Sequence, residues 1–289
     1  MRYAYIESLR GCHAVVNMCR WLSVSRSGYY KWRGRKPSQQ TIRRAHVRQA
    51  VVVAFNQYKK RYGAPRVAVE LNESGIACSV NHIAQLMAES GLKARNGKDY
   101  KYFPSPNMFN HVSNNLLQRN FTASRPNEKW VSDITYIRVK GGHVYLAVIM
   151  DLFARQIIGW AMDTSMTTAL IIEAFEMAVA KRDVRPGLIL HSDRGVQYRS
   201  GEYQRELLDK GIQPSMSRKG NCWDNAVIES FFARLKVESV HAEKFQGLDD
   251  AYSSVFEYIE LFYNNIRRHS TNAYKSPMEY ERIYYEKCA

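Results

Sequence analysis

Three acidic residues occur at positions in the sequence where an acid is otherwise out of place. Asp133 interrupts an alternating run of β-branched and aromatic residues that is typical of a strand, Asp193 follows the apolar run 188–190, and Glu229 lies in an amphipathic helical stretch. A carboxylate at the edge of an apolar element is costly unless it is paired, protonated or bound to a cation. Carboxylate oxygens are ligands that hard divalent cations prefer. The three residues therefore predict a shared metal site.

Each acid also has an ordinary structural interpretation, which is at least as strong when that acid is taken singly. Asp133 would then begin a turn, Asp193 would open the loop before Gly195, and Glu229 would be a solvated helical residue. The order of the acids along the chain favours the metal site: Asp133 is in a predicted strand, Asp193 follows a predicted strand, and Glu229 is in a predicted helix. Between Asp193 and Glu229 lie 35 residues.

The motifs around these acids extend over nearly the whole chain. They are Asp133-Ile134-Thr135-Tyr136, His191-Ser192-Asp193-Arg194-Gly195, Trp223-Asp224-Asn225-Ala226 with Glu229-Ser230-Phe231-Phe232, Tyr263-Asn264 with Arg267-Arg268-His269-Ser270, and Ser276-Pro277. In these motifs the sequence resembles the second-frame (OrfB) transposases of the IS-three family of bacterial insertion sequences, within the superfamily of DDE transposases and retroviral integrases. The resemblance implies that Asp133, Asp193 and Glu229 are catalytic.

The resemblance further implies a DNA transposase that cleaves the ends of an insertion sequence and transfers strands. Converging carboxylates can hold two ions, Mg²⁺ or Mn²⁺, which activate the attacking oxygen and stabilise the leaving one. We expect Asp133 to bridge both ions. The implied partners are DNA, further copies of the chain on that DNA, and a first-frame (OrfA) protein or a frameshift fusion with it. No leucine heptads precede residue 36, so specific recognition of element ends is expected to need that partner.

The pattern after residue 126 predicts an α/β fold. From Trp130 three strand-like runs are joined by short turns, and helical and strand-like stretches then alternate as far as the helix of Glu229. This order is that of the ribonuclease-H-like fold, and the resemblance implies the same fold: the integrase catalytic core, with a mixed five-stranded sheet and helices. In that fold the first and fourth strands are neighbours. Asp133 and Asp193 would therefore lie side by side, with Glu229 packed across them.

Positive charge is concentrated in the N-terminal part of the chain. The 289 residues include 42 Lys and Arg against 27 Asp and Glu, and residues 1–125 hold 21 of these basic residues but 5 of the acidic ones. A basic segment that precedes a nearly neutral one predicts that the first segment binds a phosphate backbone and that the second carries out the reaction. An RNA or another anionic surface would satisfy the same charge count.

Three segments follow from these patterns. Residues 1–92 are predicted to be a basic helical, helix-turn-helix-like DNA-binding region that precedes the catalytic domain. Residues 93–125, rich in Asn, Ser, Pro and basic residues, are predicted to be a basic linker. Residues 126–289 are predicted to be the ribonuclease-H-like integrase catalytic domain with a C-terminal helical extension.

Two helical patterns occur within the first segment. Residues 1–36 predict two short helices around a Ser-Gly turn at 25–28, with the aromatic residues in a small core. Further on, a turn at 75–78 precedes a helix with Ser79 as its N-cap. This stretch resembles the helix-turn-helix segment that precedes the catalytic core in the family, although an ordinary helical hairpin fits the pattern about as well.

Four further residues are predicted to contact DNA. Asn225 lies four residues before Glu229 and Lys236 lies seven after it, so helical spacing puts both on its face. Lys236 also matches a basic position that follows the glutamate in the family, which implies a contact with terminal phosphates or bases. A solvated surface lysine is the alternative. Arg267 and Arg268 belong to the basic C-terminal motif, to which the family resemblance assigns partly a core role and partly DNA contact.

Some polar residues near the acids are left out of the predicted catalytic set. His191 ends a buried strand and is interpreted as structural, and Asp151 follows a strand and is interpreted as the cap of its turn. Arg194 would hold a phosphate or pair with an acid. The stretch 217–221 is either a mobile loop that closes on DNA or an ordinary polar turn.

Composition bounds where the chain acts. No apolar stretch approaches the roughly twenty residues that span a bilayer, and the start lacks a signal-peptide layout. The five cysteines are scattered without a Cys-x-x-Cys pair, which suits a reducing compartment and predicts no zinc site. We therefore expect a soluble cytoplasmic protein, associated with the nucleoid and without a membrane partner.

Two other functions are compatible with the sequence. A ribonuclease-H-like nuclease without strand transfer would have the same fold and the same metal ions. A catalytically decayed DNA-binding protein would use the helical region alone, and the intact set of three acids argues against it.

Overall fold

The structure is a computed structural model that describes residues 1–95, 113–218 and 222–288. Parts of the predicted linker 93–125 and of the stretch 217–221 lie outside these residues. None of the described helices combines the length and the apolar run that crossing a membrane requires. The N-terminal helices are α1 Arg2–Ser8, α2 Val15–Trp21, α3 Arg26–Arg33, α4 Gln39–Gln57, α5 Ala64–Glu73 and α6 Val80–Glu89.

Residues 1–36 form three helices instead of the two predicted, and the predicted Ser-Gly turn was wrong. Ser25 is the N-cap of α3, where its Oγ accepts a hydrogen bond from the Gly28 backbone N at 3.2 Å. Gly28 lies inside α3, and a Cβ there would overlap the Tyr3 hydroxyl oxygen. The glycine therefore permits a close helix contact, a cause that the sequence pattern does not distinguish from a turn. The predicted N-cap Ser79 is confirmed.

A five-stranded mixed sheet forms the centre of the C-terminal part, in the order β3-β2-β1-β4-β5. The first three strands are antiparallel neighbours, whereas β4 lies parallel to β1 and β5 lies parallel to β4. The predicted adjacency of the first and fourth strands is confirmed. The strands are β1 Lys129–Val139, β2 Gly142–Asp151, β3 Gln156–Asp163, β4 Ile189–Ser192 and β5 Gln213–Met216.

Helices cover both faces of the sheet because β1 and β2 are apolar on both sides. Trp130 belongs to the core under α7 and α8, whereas its neighbour Val131 belongs to the core under α9, α10 and the N-terminal helices α4 to α6. The core that contains Val131 is a single cluster, so the sheet and the helices α4 to α6 share buried apolar contacts. The bounds are α7 Thr168–Lys181, α8 Gly201–Asp209, α9 Ala226–Glu238, α10 Leu248–Phe256 continued by a π-helix Glu257–Tyr263, and α11 Pro277–Cys288.

The short strand β4 leaves most of one edge of β1 uncovered. β4 pairs only with Lys129–Val131, although β1 continues for eight more residues. The helix α9 lies along the remaining edge. Before its first residue, Asn225 Nδ2 donates a hydrogen bond to the Ser132 carbonyl oxygen at 3.3 Å. In its last turn, Lys236 Nζ lies 4.8 Å from the centre of the Tyr136 ring.

Gly159 provides a test of the packing of α7 on the sheet. A Cβ at Gly159 would overlap the Ala174 carbonyl oxygen and would lie 2.9 Å from Ala178 Cβ. Because both contacts are to a packed helix, we expect Gly159→Ala to lower the free energy of unfolding by about 1–3 kcal/mol or more. Urea denaturation measures this change. In the control Gly201→Ala the new Cβ has no atom within 4 Å, and an equal loss of stability there would contradict the packing argument.

Candidate active site

The parallel pairing of β1 with β4 brings the two predicted aspartates to the same level of the sheet. Val131 pairs with His191, and Asp133 and Asp193 each lie two residues further on. Residues two apart in a strand share a face, and neighbouring strands lie about 4.8 Å apart. Because Val131 faces the core under α9, Asp133 faces α9 as well. β4 ends at Ser192, which leaves Asp193 at the open end of the strand.

The pKa shifts show that the three carboxyl groups are electrostatic neighbours. Burial raises the pKa of Asp133 well above its ordinary value, and the nearby carboxylates of Asp193 and Glu229 raise it further. Burial and the charge of Asp193 likewise raise the pKa of Glu229. Desolvation of the carboxyl group raises the pKa of Asp193, although the residue keeps an exposed outer surface. Each group therefore favours a neutralising proton or cation.

Backbone N–H groups orient both aspartates. Ile134 N donates to Asp133 Oδ1 at 2.8 Å, and Gly195 N donates to Asp193 Oδ1 at the same distance. A Cβ on Gly195 would lie 3.0 Å from Asp193 Oδ1, so a larger residue would crowd the carboxylate. Arg194 turns away, because its Nε donates to the Ser217 carbonyl oxygen at 2.6 Å.

The helix α9 supplies the third acid and the predicted lysine. Glu229 lies in its first turn and Lys236 in its last, each at the end of the helix dipole that suits its charge. Burial lowers the pKa of Lys236, and the charge of Asp133 opposes that effect. The ammonium group therefore lies near both Asp133 and the half-exposed Tyr136 ring.

Asn225 lies before α9 and not in it, as the N-cap at the end of a short 3₁₀-helix. The side chain is 4% exposed, and its Nδ2 donates to the Ser132 carbonyl oxygen. Its Oδ1 is buried and has no hydrogen-bond partner among the described residues. Asn225 thus fixes the start of α9 to the strand of Asp133, one residue before that acid.

The donor set of the site suits a hard cation. It consists of carboxylate oxygens whose mutual repulsion and desolvation a divalent ion would relieve. Within residues 1–95, 113–218 and 222–288, however, no three His, Cys, Asp or Glu side chains gather closely enough to hold one metal ion. The three acids are therefore brought near one another but are not drawn into a single ligand set.

His191 has the structural role that its place in the sequence predicts. Its Nδ1 lies 2.8 Å from Ser215 Oγ and its Nε2 lies 3.2 Å from Ser217 Oγ. Burial lowers the pKa of the imidazole to about 4, so the ring is neutral at pH 7. Asp151 likewise serves its turn, since it accepts hydrogen bonds from Asn127 N and Phe153 N.

Asp224 is a residue of the site region that sequence reasoning missed. Its buried carboxylate accepts hydrogen bonds from Asn115 Nδ2 and Arg119 Nε, both at 2.9 Å, and from the backbone N and guanidinium group of Arg218. These contacts join three separate parts of the chain immediately before α9. Asp224 belongs to the sequence motif Trp223-Asp224-Asn225-Ala226. Its partners Asn115 and Arg119 are about 100 residues away in the chain, and no spacing pattern in the sequence indicates them.

The far end of α9 is held by a buried ion pair that involves Arg267. Glu238 and Arg267 are each 2% exposed. Arg267 Nε and Nη2 donate to the two Glu238 carboxylate oxygens at 2.8 and 2.7 Å, and the Tyr258 hydroxyl donates at 3.0 Å. Burial, the largest single influence, raises the pKa of Glu238, but the hydrogen bonds from Arg267 and Tyr258 and the charges of Arg267 and Arg66 together outweigh it, so the pKa is lowered. The Arg267 guanidinium group is thus engaged inside the protein.

Arg268 connects the same region to the N-terminal helices. Its guanidinium group forms hydrogen bonds with Glu70 and Glu73 of α5. Arg61 Nε and Arg95 Nη1, from the N-terminal part of the chain, donate hydrogen bonds to the Glu238 carbonyl oxygen at the end of α9, at 3.0 and 2.7 Å. These ion pairs and hydrogen bonds place Arg268 at the joint between α5 and the end of α9. Its predicted contact with DNA, like that of Arg267, stays a prediction.

Comparison with known proteins places this site in a family. The family model described as "Integrase core domain" matches residues 123–222, a second of that description matches residues 229–283, and one described as "HTH-like domain" matches residues 42–100. The transposase InsF for insertion sequence IS3A of Escherichia coli (strain K12) is 41% identical over 283 residues, which cover 97% of this chain and 98% of that protein. The chain belongs to the IS3 family of transposases. It is therefore a transposase with an integrase core, and its function is DNA transposition.

A further transposase and two solved structures are also similar to this chain. The transposase for insertion sequence element IS904 of Lactococcus lactis subsp. lactis (strain IL1403) is 41% identical over 249 residues, covering 86% of this chain and 98% of that one. The HTLV-2 integrase catalytic core domain in complex with magnesium has a TM-score of 0.42 and 19% identity over 55% of this chain and 98% of its own. The simian T-cell lymphotropic virus intasome gives a TM-score of 0.47 and 17% identity over 80% of this chain and 73% of its own.

The buried carboxylate of Asp224 makes a prediction about pH. The Arg218 hydrogen bonds hold the pKa of Asp224 well below its usual range. A depressed folded pKa stabilises the fold above the unfolded pKa, near 3.9, and this contribution is lost as the pH falls through the folded value. We expect Asp224→Asn to lower the free energy of unfolding by about 1–3 kcal/mol at pH 7, and the difference from wild type to shrink below pH 4.

Urea denaturation at pH 7 and at pH 3.5 measures both values. Asp209→Asn is the matched control, because Asp209 is an exposed residue at the end of α8. A difference for Asp224→Asn that stayed constant or grew at the lower pH would contradict the charged network.

Proposed function

We propose that Asp133, Asp193 and Glu229 are the catalytic triad of this transposase and that they hold two divalent ions, Mg²⁺ or Mn²⁺. The single observation that carries the proposal is the parallel pairing of β1 with β4, which sets Asp133 and Asp193 at one level of the sheet on the side of α9, the helix that carries Glu229. If Asp133 is shared, each ion takes ligands from only two of the carboxylates. This arrangement does not need three acidic side chains around one point.

The metal ions, when bound, would supply charge stabilisation for the attacking and leaving oxygens of a phosphodiester exchange. The residues of the chain do the positioning. Ile134 N and Gly195 N fix the two aspartates, and Asn225 fixes the start of the helix that presents Glu229. Lys236 supplies a positive charge beside the triad, and we assign to it a contact with the terminal phosphates of the element end.

We assign Arg267, Arg268 and Asn225 to holding α9 in place and not to direct contact with DNA. The side chains of Asn225 and Arg267 are 4% and 2% exposed, and Arg268 is engaged by two glutamates. A buried guanidinium group that left its partner would expose an uncompensated charge in Glu238. These residues therefore act on DNA only through the position of Glu229.

The proposed reaction is water-dependent release of a 3′ hydroxyl at each element end, followed by attack of that hydroxyl on another phosphodiester. The proposed partners are element-end and target DNA, further copies of the chain, and a first-frame protein that adds specific end recognition. We further propose the division into a helical DNA-binding region at 1–92, a linker at 93–125 and a catalytic domain at 126–289, with the basic first region holding the DNA.

The role of Glu229 is tested by its neutral isostere. We expect Glu229→Gln to lower Mg²⁺-dependent joining of element-end DNA to a target by about a thousandfold, because loss of one metal ligand removes several kcal/mol of charge stabilisation. The assay uses a labelled duplex that ends at the terminus of the insertion sequence carrying this gene, with and without the first-frame protein. Glu202→Gln, in the exposed first turn of α8, should join as wild type does.

The products of the same assay separate the candidate functions. Joined product from wild type that disappears in Glu229→Gln supports the triad. Hydrolysis without any joined product would replace strand transfer with a nuclease reaction. Bound but unreacted DNA, in the presence of the first-frame protein and Mg²⁺, would contradict catalysis by this chain.

The role of Lys236 is tested by the dependence of DNA binding on salt. Removal of one phosphate contact lowers the slope of log affinity against log salt concentration by about 0.9. We expect this change in Lys236→Met, together with slower joining, and no change in Lys210→Met, whose exposed side chain follows α8. Fluorescence anisotropy with the element-end duplex measures the slope. Equal slopes for wild type and Lys236→Met would show that Lys236 contacts no phosphate.

A further inference from the structure

The first three helices form a unit with its own small core. The buried residues Ile6, Met18, Cys19 and Tyr29 form a cluster separate from the two cores of the sheet region. The ring of Tyr29 lies 6.3 Å from that of Tyr3. The "HTH-like domain" match begins at residue 42, so it does not include this unit.

Within this unit, α2 and α3 have the layout of a helix-turn-helix. α2 ends at Trp21 and α3 begins at Arg26, which leaves a four-residue turn. Ser23 has a positive φ of 50° in that turn, and the Ser25 N-cap starts the second helix. A turn of three or four residues between two packed helices is typical of the DNA-binding motif, whose second helix enters the major groove.

The outer face of α3 is exposed and positively charged. Arg26, Ser27, Tyr30 and Lys31 are exposed. Helical spacing puts Ser27 and Lys31 opposite the buried Tyr29, and Arg26 and Tyr30 along one side of the helix. The Arg26 guanidinium carbon lies 5.8 Å from the centre of the Tyr30 ring. This face therefore combines two cations with an aromatic ring that is 46% exposed, a combination that suits phosphates and base edges.

The charge of the whole unit matches that of DNA. Residues 1–36 contain eight Lys or Arg and a single acid, Glu7. Glu7 is turned toward its own unit: it accepts a hydrogen bond from the Tyr29 hydroxyl and lies 3.5 Å from Arg10 and from Arg33. No carboxylate of this unit is thus left to oppose a phosphate at the outer face of α3.

The second helix of the matched HTH-like domain has a different character. α6 contains no Lys or Arg in its ten residues. Its acidic end, Glu89, is paired with Arg44 and Arg48 of α4 at 2.6 and 2.7 Å. Helix α6 therefore brings no Lys or Arg of its own to a phosphate backbone.

We propose that α2 and α3 form a second, separate DNA-binding element, in which α3 lies in the major groove of duplex DNA. Arg26 and Tyr30 face base edges from the N-terminal half of α3, and Lys31 contacts a phosphate. The element supplies charge that α6 lacks, so the chain holds one DNA molecule at two places before the catalytic core acts on it. This inference rests on the proposed function only in taking DNA as the substrate.

The test measures binding by the full chain in the absence of divalent metal. The probe is a fluorescein-labelled 40-base-pair duplex of mixed sequence, and the readout is the slope of log affinity against log salt concentration. Arg26→Ala/Lys31→Ala should lower that slope by about 0.9, since Lys31 is the side chain assigned to a phosphate and one lost phosphate contact contributes about that much. Both side chains are exposed and lie outside the core of the unit. A circular dichroism melt that matches wild type confirms that the variant is folded.

A double variant of the same charge change is the control. Arg205→Ala/Lys210→Ala removes two exposed cations, one in α8 and one directly after it, and should leave the slope unchanged. An unchanged slope in the α3 variant, or an equal decrease in the α8 variant, would overturn the proposal. Loss of self-association without any change in DNA binding would assign the face to a protein contact and would overturn it as well.

A selection from random duplexes tests the contact with bases. Wild type should select a site with two conserved segments, and Arg26→Lys/Tyr30→Ala should lose the conservation in one of them, because the planar guanidinium group reads a base pair that an ammonium group does not. Identical selected sites would contradict base reading by α3. Both experiments measure binding without catalysis, so a failure of catalysis in the joining assay is distinguishable from a failure of this element.

Discussion

The structure depends on holding three like-charged carboxylates near one another while they are partly removed from water. Their repulsion and desolvation raise the pKa of Asp133, Asp193 and Glu229, so the arrangement is electrostatically unfavourable unless a proton or a cation neutralises it. If the surrounding backbone were free to move, this repulsion would drive the three carboxylates apart. The parallel pairing of β1 with β4 prevents this for the two aspartates, because their separation is fixed by backbone hydrogen bonds that the side-chain charges do not break.

The third acid is held differently, through the two ends of α9. At the start, Asp224 and Asn225 connect the helix to distant segments and to the carbonyl group of Ser132. At the end, Glu238 is closed in by Arg267. Removal of one partner of such a buried pair costs about 3–5 kcal/mol. The position of Glu229 is therefore defined by contacts that lie outside the site itself.

The arginines of the chain divide into internal and external groups. Arg61, Arg267 and Arg268 join the N-terminal helices to the end of α9, and their charge is offset by Glu238, Glu70 and the backbone. The basic face of α3 is exposed instead. Only the second kind adds to the field that attracts a phosphate backbone. The net charge of the chain thus includes both paired arginines at a structural joint and the exposed basic face of α3.

The sequence by itself determined the succession of strands along the chain, the helix of Glu229 and the N-cap Ser79, since these follow from local periodicity and capping. The adjacency of the first and fourth strands followed from the resemblance to a known fold, and only the tertiary structure shows it. It did not reveal that Gly28 permits a close contact between α3 and Tyr3. A glycine in the sequence can indicate either a turn or a site of tight packing, and the pattern does not distinguish the two. Nor did it reveal the roles of Asp224 and Glu238. Their partners are distant in the chain, and only the tertiary structure decides whether a charged residue meets an opposite charge or water.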